Sequence, residues 1–200
     1  MNKIIITFSL ILISNVVNAT PGDAAYRSGH FEQAAELYKK GAEQGDAIAA
    51  IKLAFIFKKV QLTSDFKTPL FWFEKACKLG KPMACHNAGY GYEEALYGLK
   101  SKDLNKAESL YRIAAEKGYM QSQYNLASMY SNNYVTPPND IEGYKWFLIS
   151  SINAEKCSDK NLCKWILSDP PKHGEKLKNR LTEEQIEKAE ELAESWVNEN

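Results

Sequence analysis

Four cysteines, three histidines and one serine–lysine pair are the side chains of this sequence whose type and spacing could do chemistry. Cys77 and Cys85 flank Gly80 and Pro82 in KACKLGKPMACHNAG, and Cys157 and Cys163 stand six positions apart. In an oxidising compartment an even set of thiols at short spacings closes disulfides. Four cysteines allow three pairings, and locality alone selects Cys77 with Cys85 and Cys157 with Cys163. A metal centre would have to use Cys77, Cys85 and His86, which lack a fourth ligand at a recognisable spacing and fit neither C-x₂₋₄-C nor H-x₃₋₅-H. No metal and no cofactor is expected. Ser64 and Lys67 match S-x-x-K, but the S-D-N and K-T-G that accompany a serine acyl-transfer site are absent. Ser64 stands where a helix begins, so capping accounts for it. G-x-S-x-G, H-E-x-x-H and the phosphate-cradling G-x-x-x-x-G-K-[ST] do not occur. His30, His86 and His173 are dispersed, and no catalytic residue is expected.

The compartment is read from the first residues. MNKIIITFSLILISNVVNA has a basic start at Lys3, an apolar run from Ile4 to Leu12, and Val17 and Ala19 at the −3 and −1 places of a cleavage site. The apolar run is short for a bilayer span, and no cysteine follows the cut to carry lipid. Residues 1–19 are therefore expected to be a signal peptide cleaved after Ala19, with no membrane anchor afterwards. The mature chain would be periplasmic or secreted, and the sequence leaves both open. The full sequence holds 25 basic and 25 acidic residues, interspersed. That balance argues against nucleic acid, which calls for a basic face, and against a polybasic membrane patch.

The elements that must position the cysteines appear when the chain is aligned on Gly45, Gly80 and Gly118, spaced 35 and 38 residues apart. Counting forward, position +4 is Ala49, Ala84 and Ser122; +8 is Leu53, Ala88 and Leu126; +9 is Ala54, Gly89 and Ala127; +12 is Phe57, Tyr92 and Tyr130. Counting backward, −11 is Ala34, Pro69 and Ala107; −8 is Leu37, Trp72 and Leu110; −7 is Tyr38, Phe73 and Tyr111. A fourth copy runs through Trp146 and Phe147, with Ala154 in the glycine slot. Both sets have helical period and form apolar faces. The glycine serves as a C-cap, and Asp65, Asp103 and Asp140 are N-cap candidates. Each unit of about 36 residues is a helix hairpin that must stack on its neighbours to bury its face. Cys77 at −3 and Cys85 at +5 then meet across the Gly80 turn. Residues 20–155 form an array of about four such units. Residues 156–200 form a helical cap, opened by the capping box Thr182-Glu183-Glu184-Gln185.

The pattern A-x-x-x-[LA]-[GA]-x-x-Y, then D, then A-x-x-[LW]-[YF]-x-x-A-A-x-x-G resembles the Sel1-like repeat, a relative of the tetratricopeptide repeat. Ala84, Ala88, Gly89, Tyr92, Asp103, Ala107, Tyr111, Ala114, Ala115 and Gly118 carry the best copy. The resemblance runs from about Asp23 to Ala154, with departures at Pro69, Gly143 and Thr136-Pro137-Pro138. It implies an all-α, right-handed α-solenoid of helix hairpins closed by C-terminal capping helices. The cysteines look like those of cysteine-rich exported Sel1-like proteins, whose repeats are stapled in this way. The segment R-L-T-E-E-Q-I resembles one that often ends such arrays.

In related arrays the first helices line the concave face that holds the ligand. Positions +3, +7, +10 and +14 point nearly opposite to the core positions. Among them Lys52, Phe55, Asn87, Tyr90, Glu94, Asn125 and Ser128 are the expected partner-binding residues. Asparagine recurs at +7 as Asn87 and Asn125, where its amide can donate to and accept from an extended backbone. Met83 lies on the same stripe. The expected function is a non-catalytic module that binds another protein, acting as a monomer. Two versions stand within it, an envelope adaptor and an immunity protein that neutralises a toxic effector. A third reading, a β-lactam-binding enzyme, is implied by some cysteine-rich relatives and requires acylation of Ser64.

Overall fold

The computed structural model describes residues 20–57, 68–134, 137–158, 163–164, 166–167 and 170–200. The expected leader (residues 1–19), Ser64 with Lys67, the cap candidate Asp65 and Thr136 lie outside the described residues. The helices are α1 (Gly22–Arg27), α2 (Phe31–Glu43), α3 (Ala47–Ile56), α4 (Pro69–Lys78), α5 (Pro82–Glu93), α6 (Leu104–Glu116), α7 (Met120–Ser131), α8 (Asp140–Glu155), α9 (Pro170–Lys178) and α10 (Glu183–Glu199). Each helix from α1 to α8 packs on the next in the chain, while α9 and α10 both settle on α8 and α9 also reaches α7. Among the described residues this is an all-α solenoid of four helix pairs followed by two further helices, α9 and α10, that pack on its last helix.

The turns are made as the glycine spacing requires. Gly45, Gly80 and Gly118 take φ values of +95°, +83° and +78°, a left-handed conformation that glycine adopts without Cβ strain. At the second of them the Gly80 amide donates to the Cys77 carbonyl and the Lys81 amide to that of Ala76, which closes α4. At the other ends, the Asp46 carboxylate accepts from the Ile48 and Ala49 amides, and that of Asp103 from Lys106. Thr182 and Gln185 form the expected capping box.

Two caps differ from expectation. Asn139, not Asp140, accepts from the Glu142 amide and caps α8. Asn139 is the residue with non-helical backbone, and Asp140, already helical, pairs with Arg180 at 2.7 Å. Thr68 caps α4, and Pro69 follows at the first helical position. There a fixed φ suits the helix and the missing N–H costs nothing.

Small residues let the helices close. Ala49, Ala84, Ala88, Leu53 and Leu126 are fully buried, as are Trp72, Trp146, Phe73 and Tyr111 from the facing helices. Large side chains buried in this way stabilise a fold by about 1.5–3 kcal/mol each. Gly143, a departure from alanine in the repeat pattern, has a packing reason. A Cβ there would stand 2.6 Å from that of Tyr130, so glycine is what brings α8 onto α7. In the cap, Ala189 and Ala193 are buried, with Ile186 and Val197 packed beside them, so one apolar stripe of α10 faces the array.

Candidate partner-binding surface

The expected binding residues sit on α3, α5 and α7, the first helices of three successive pairs, with Glu94 just past the end of α5. Tyr90 is the most exposed of the aromatics there, at 47 %, and Phe55 is 37 % exposed with its ring edge-to-face on Phe73 at 5.1 Å. The Asn87 amide donates to the Met83 carbonyl at 2.7 Å, one turn back on its own helix. Ser128 is half-buried, and its hydroxyl accepts from the Asn132 amide at 3.4 Å. Glu94, the C-cap of α5, pairs with Lys102 at 3.2 Å in solvent. A pair so exposed contributes about 0–1 kcal/mol.

Lys52 is differently placed. Its ammonium lies 2.7 Å from both Asp23 carboxylate oxygens and 3.3 Å from the Thr20 hydroxyl. The Tyr38 hydroxyl and the Thr20 amide also donate to Asp23. Burial alone would raise the Asp23 carboxyl, but the hydrogen bonds from Lys52, Tyr38 and Thr20 outweigh it and hold the group down at about 2. Lys52 thus joins α3 to α1 at one end of the row.

Beneath Tyr90, the fold gathers groups that sequence spacing does not connect. The buried Tyr111 of α6 donates its hydroxyl to Glu93 at 2.7 Å, while the Asn125 side chain of α7 hydrogen-bonds the same hydroxyl. Burial raises the Glu93 carboxyl, and the hydrogen bond from Tyr111 restrains that rise. Gly89 provides the space, since a Cβ there would meet the Tyr111 ring at 2.9 Å. Asn125 and Tyr90 are thus brought to one place around Tyr111 and Glu93, although the repeat pattern marks Tyr111 only as core.

A legible signal does exist. Where the −7 aromatic is tyrosine rather than phenylalanine, the preceding first helix supplies an acid, Asp23 for Tyr38 at 2.9 Å and Glu93 for Tyr111. The +12 tyrosines behave alike. Tyr92 donates to Glu74, and Tyr130 donates to Glu108 at 3.1 Å while accepting from Arg112, which also holds Glu142 at 2.9 Å.

Two histidines join neighbouring elements. His86 Nδ1 meets the buried Ser122 hydroxyl at 2.9 Å, and the ring lies against Tyr111 and Tyr119. Burial lowers its imidazole to about 4, so it is neutral at physiological pH. His173 Nδ1 meets Ser131 at 2.6 Å and ties α9 to α7. Both disulfides pair by locality, Cys77 with Cys85 (Cα atoms 4.6 Å apart) and Cys157 with Cys163 (6.2 Å). Among the described residues, cavities open beside the second helices. One of about 560 Å³ between α4 and α6 is lined by Lys78, Lys106, Leu110 and Ile113. Another, of about 420 Å³ at the ends of α6, α8 and α10, is lined by Lys117, Asn153, Lys156 and Trp196.

A stack of helix pairs, each packed on the next, defines a repeat scaffold. The Sel1 repeat family matches residues 31–46, 70–81, 82–119 and 121–151. The chain belongs to the Sel1 repeat family. It is 30 % identical over 120 residues to human cytochrome c oxidase assembly factor 7, covering 56 % of this chain and 52 % of the relative. It thus spans about half the length of the curated relatives it matches. Among solved structures, a protective antigen of uropathogenic Escherichia coli strains displaying an SLR fold superposes with a TM-score of 0.65 at 27 % identity, covering 88 % of this chain and 38 % of that one. A Sel1 repeat protein from Oxalobacter formigenes superposes with a TM-score of 0.59 at 22 % identity, covering 86 % and 69 %.

Proposed function

We propose that this chain is an exported, non-catalytic scaffold that binds another protein along its first-helix row. Tyr90 carries the reading. It is a large aromatic, half exposed on a rigid helix and set over the Tyr111–Glu93–Asn125 cluster, and tyrosines in such settings dominate the energetics of protein interfaces. Asn87 and Asn125 flank it as polar contacts, with Phe55, Glu94 and Ser128 extending the row and Lys52 closing one end. Two disulfides are at home in an oxidising compartment, which supports export. The name of the human relative, an assembly factor, suits a protein that acts by association.

The test is capture of the partner from envelope extract by the oxidised protein, beside a folded Asn87→Ala/Tyr90→Ala/Asn125→Ala variant. A dominant partner lost in the variant supports the reading, and its identity separates an adaptor from an inhibitor of a toxic effector. A partner retained by the variant moves the site off this row.

A further inference from the structure

We propose that cleavage between Ala19 and Thr20 not only releases a leader but creates an ammonium that completes the ion-pair cradle on Asp23 and so fastens the first helix pair. This rests on the export reading above. The Thr20 backbone nitrogen lies 3.0 Å from Asp23 Oδ2, and its hydroxyl 2.9 Å from Oδ1. Tyr38 of α2 donates to Oδ1 at 2.9 Å, and Lys52 of α3 reaches both oxygens at 2.7 Å. One carboxylate thus ties three helices together, and Thr20 is buried against it at 7 % exposure.

α1 has six residues, too few to hold a helix by itself. Its fit on α2 is close, for a Cβ on Gly22 would stand 2.5 Å from the Tyr38 ring. What keeps α1 in place is therefore its packing and this cradle. Hydrolysis by a host endopeptidase adds water across the Ala19–Thr20 amide. The Ala19 carboxylate leaves with the leader, and the Thr20 nitrogen becomes an ammonium. A neutral N–H donor to the Asp23 carboxylate turns into a charged one, which adds a charge–charge attraction to a hydrogen bond the carboxylate already assists. The positive charge opposes the dipole of α1, a small effect at a surface, and Asp23 in its first turn offsets it.

The experiment expresses the full chain in a bacterial host and recovers it from the envelope. A second chain carries Ala-Ser inserted after Ala19, which moves the new amine two residues from Asp23, and each chain is also made with Asp23→Asn. Intact mass reads the cleaved bond, and thermal unfolding reads the lock. The expected result is cleavage at Thr20, a Tm lowered by about 3 °C by the insertion when Asp23 is present, and a much smaller shift in the Asp23→Asn background, where the carboxylate charge is gone. Acylation of the N-terminal amine at neutral pH should also be several-fold slower in the uninserted chain, a readout that stands even where Asp23→Asn does not fold. An unprocessed chain overturns both this inference and the export reading. Cleavage at another bond, or equal Tm and acylation with and without the insertion, overturns this inference alone.

Discussion

Replacing His86 by phenylalanine should reverse sign with pH. The imidazole is held neutral, with its proton affinity lowered from an ordinary 6.5 to about 4 by burial between Tyr111 and Tyr119. The unfolded chain takes up a proton on this side chain as pH falls through 6.5, whereas the folded chain does so only near 4. Stability from this group is therefore fully present above about 6.5 and is lost progressively as pH falls towards 4. A gap of about 2.5 pKa units corresponds to about 2–3 kcal/mol, allowing for solvent that still reaches the ring. Glu93 works in the opposite direction, because its raised carboxyl binds a proton more readily in the folded state. Its contribution is common to both proteins and cancels in their difference.

The His86→Phe variant keeps a ring against the two tyrosines but leaves the buried Ser122 hydroxyl without its partner, a loss of about 1 kcal/mol. At pH 7.5 the wild type should be the more stable by that amount, and near pH 4.5 the variant should be. Urea unfolding across the range from pH 7.5 to 4.5 measures the difference. A wild-type-minus-variant difference that stays constant over this range, or a His86 resonance titrating near 6.5, would refute the reasoning.

Gly89→Ala should destabilise by about 1–3 kcal/mol in denaturant unfolding, because its Cβ meets the Tyr111 ring at 2.9 Å and the Ala107 carbonyl at 3.3 Å. A change below about 0.5 kcal/mol, as at an open surface site, would mean that α5 and α6 are not in the close contact described. Substituting Cys77 and Cys85 together by alanine should cost about 2.5 kcal/mol, the entropy of closing a short loop between cysteines eight residues apart. The mass of the exported protein should show no alkylatable thiols until it is reduced; four reactive thiols would remove the disulfides from the account.

Much of the scaffold was legible beforehand. The glycines at Gly45, Gly80 and Gly118, the small residues at Ala84 and Ala88 and the tryptophans at Trp72 and Trp146 follow helical period, and period alone says which face is buried. Local capping was legible where a single residue decides it, as at Asp103 and Thr182. It was misplaced by one at Asp140, because Asn139 and Asp140 are both good caps and only the backbone conformation of the loop separates them. At the candidate site, the exposure of Tyr90 and Phe55 was readable from the stripe they occupy. The engagement of Lys52 with Asp23 was not, since the two lie 29 residues apart on different helices.

The sequence by itself determined the repeat, its turns, its all-α class and, through locality, the pairing of its cysteines. These follow from the chemistry of single residues and from a periodicity that every stacked unit must satisfy. Only the tertiary structure decided where the polar groups found partners: Tyr111 on Glu93 and Asn125, His86 on Ser122, Arg112 between Glu108 and Glu142. Apart from Glu108, one turn from Arg112 on the same helix, those partners come from neighbouring helices, and hydrophobic period fixes which way a helix faces but not the angle and depth at which the next one settles on it. A shift of a few ångströms would change every such hydrogen bond while leaving the apolar pattern satisfied.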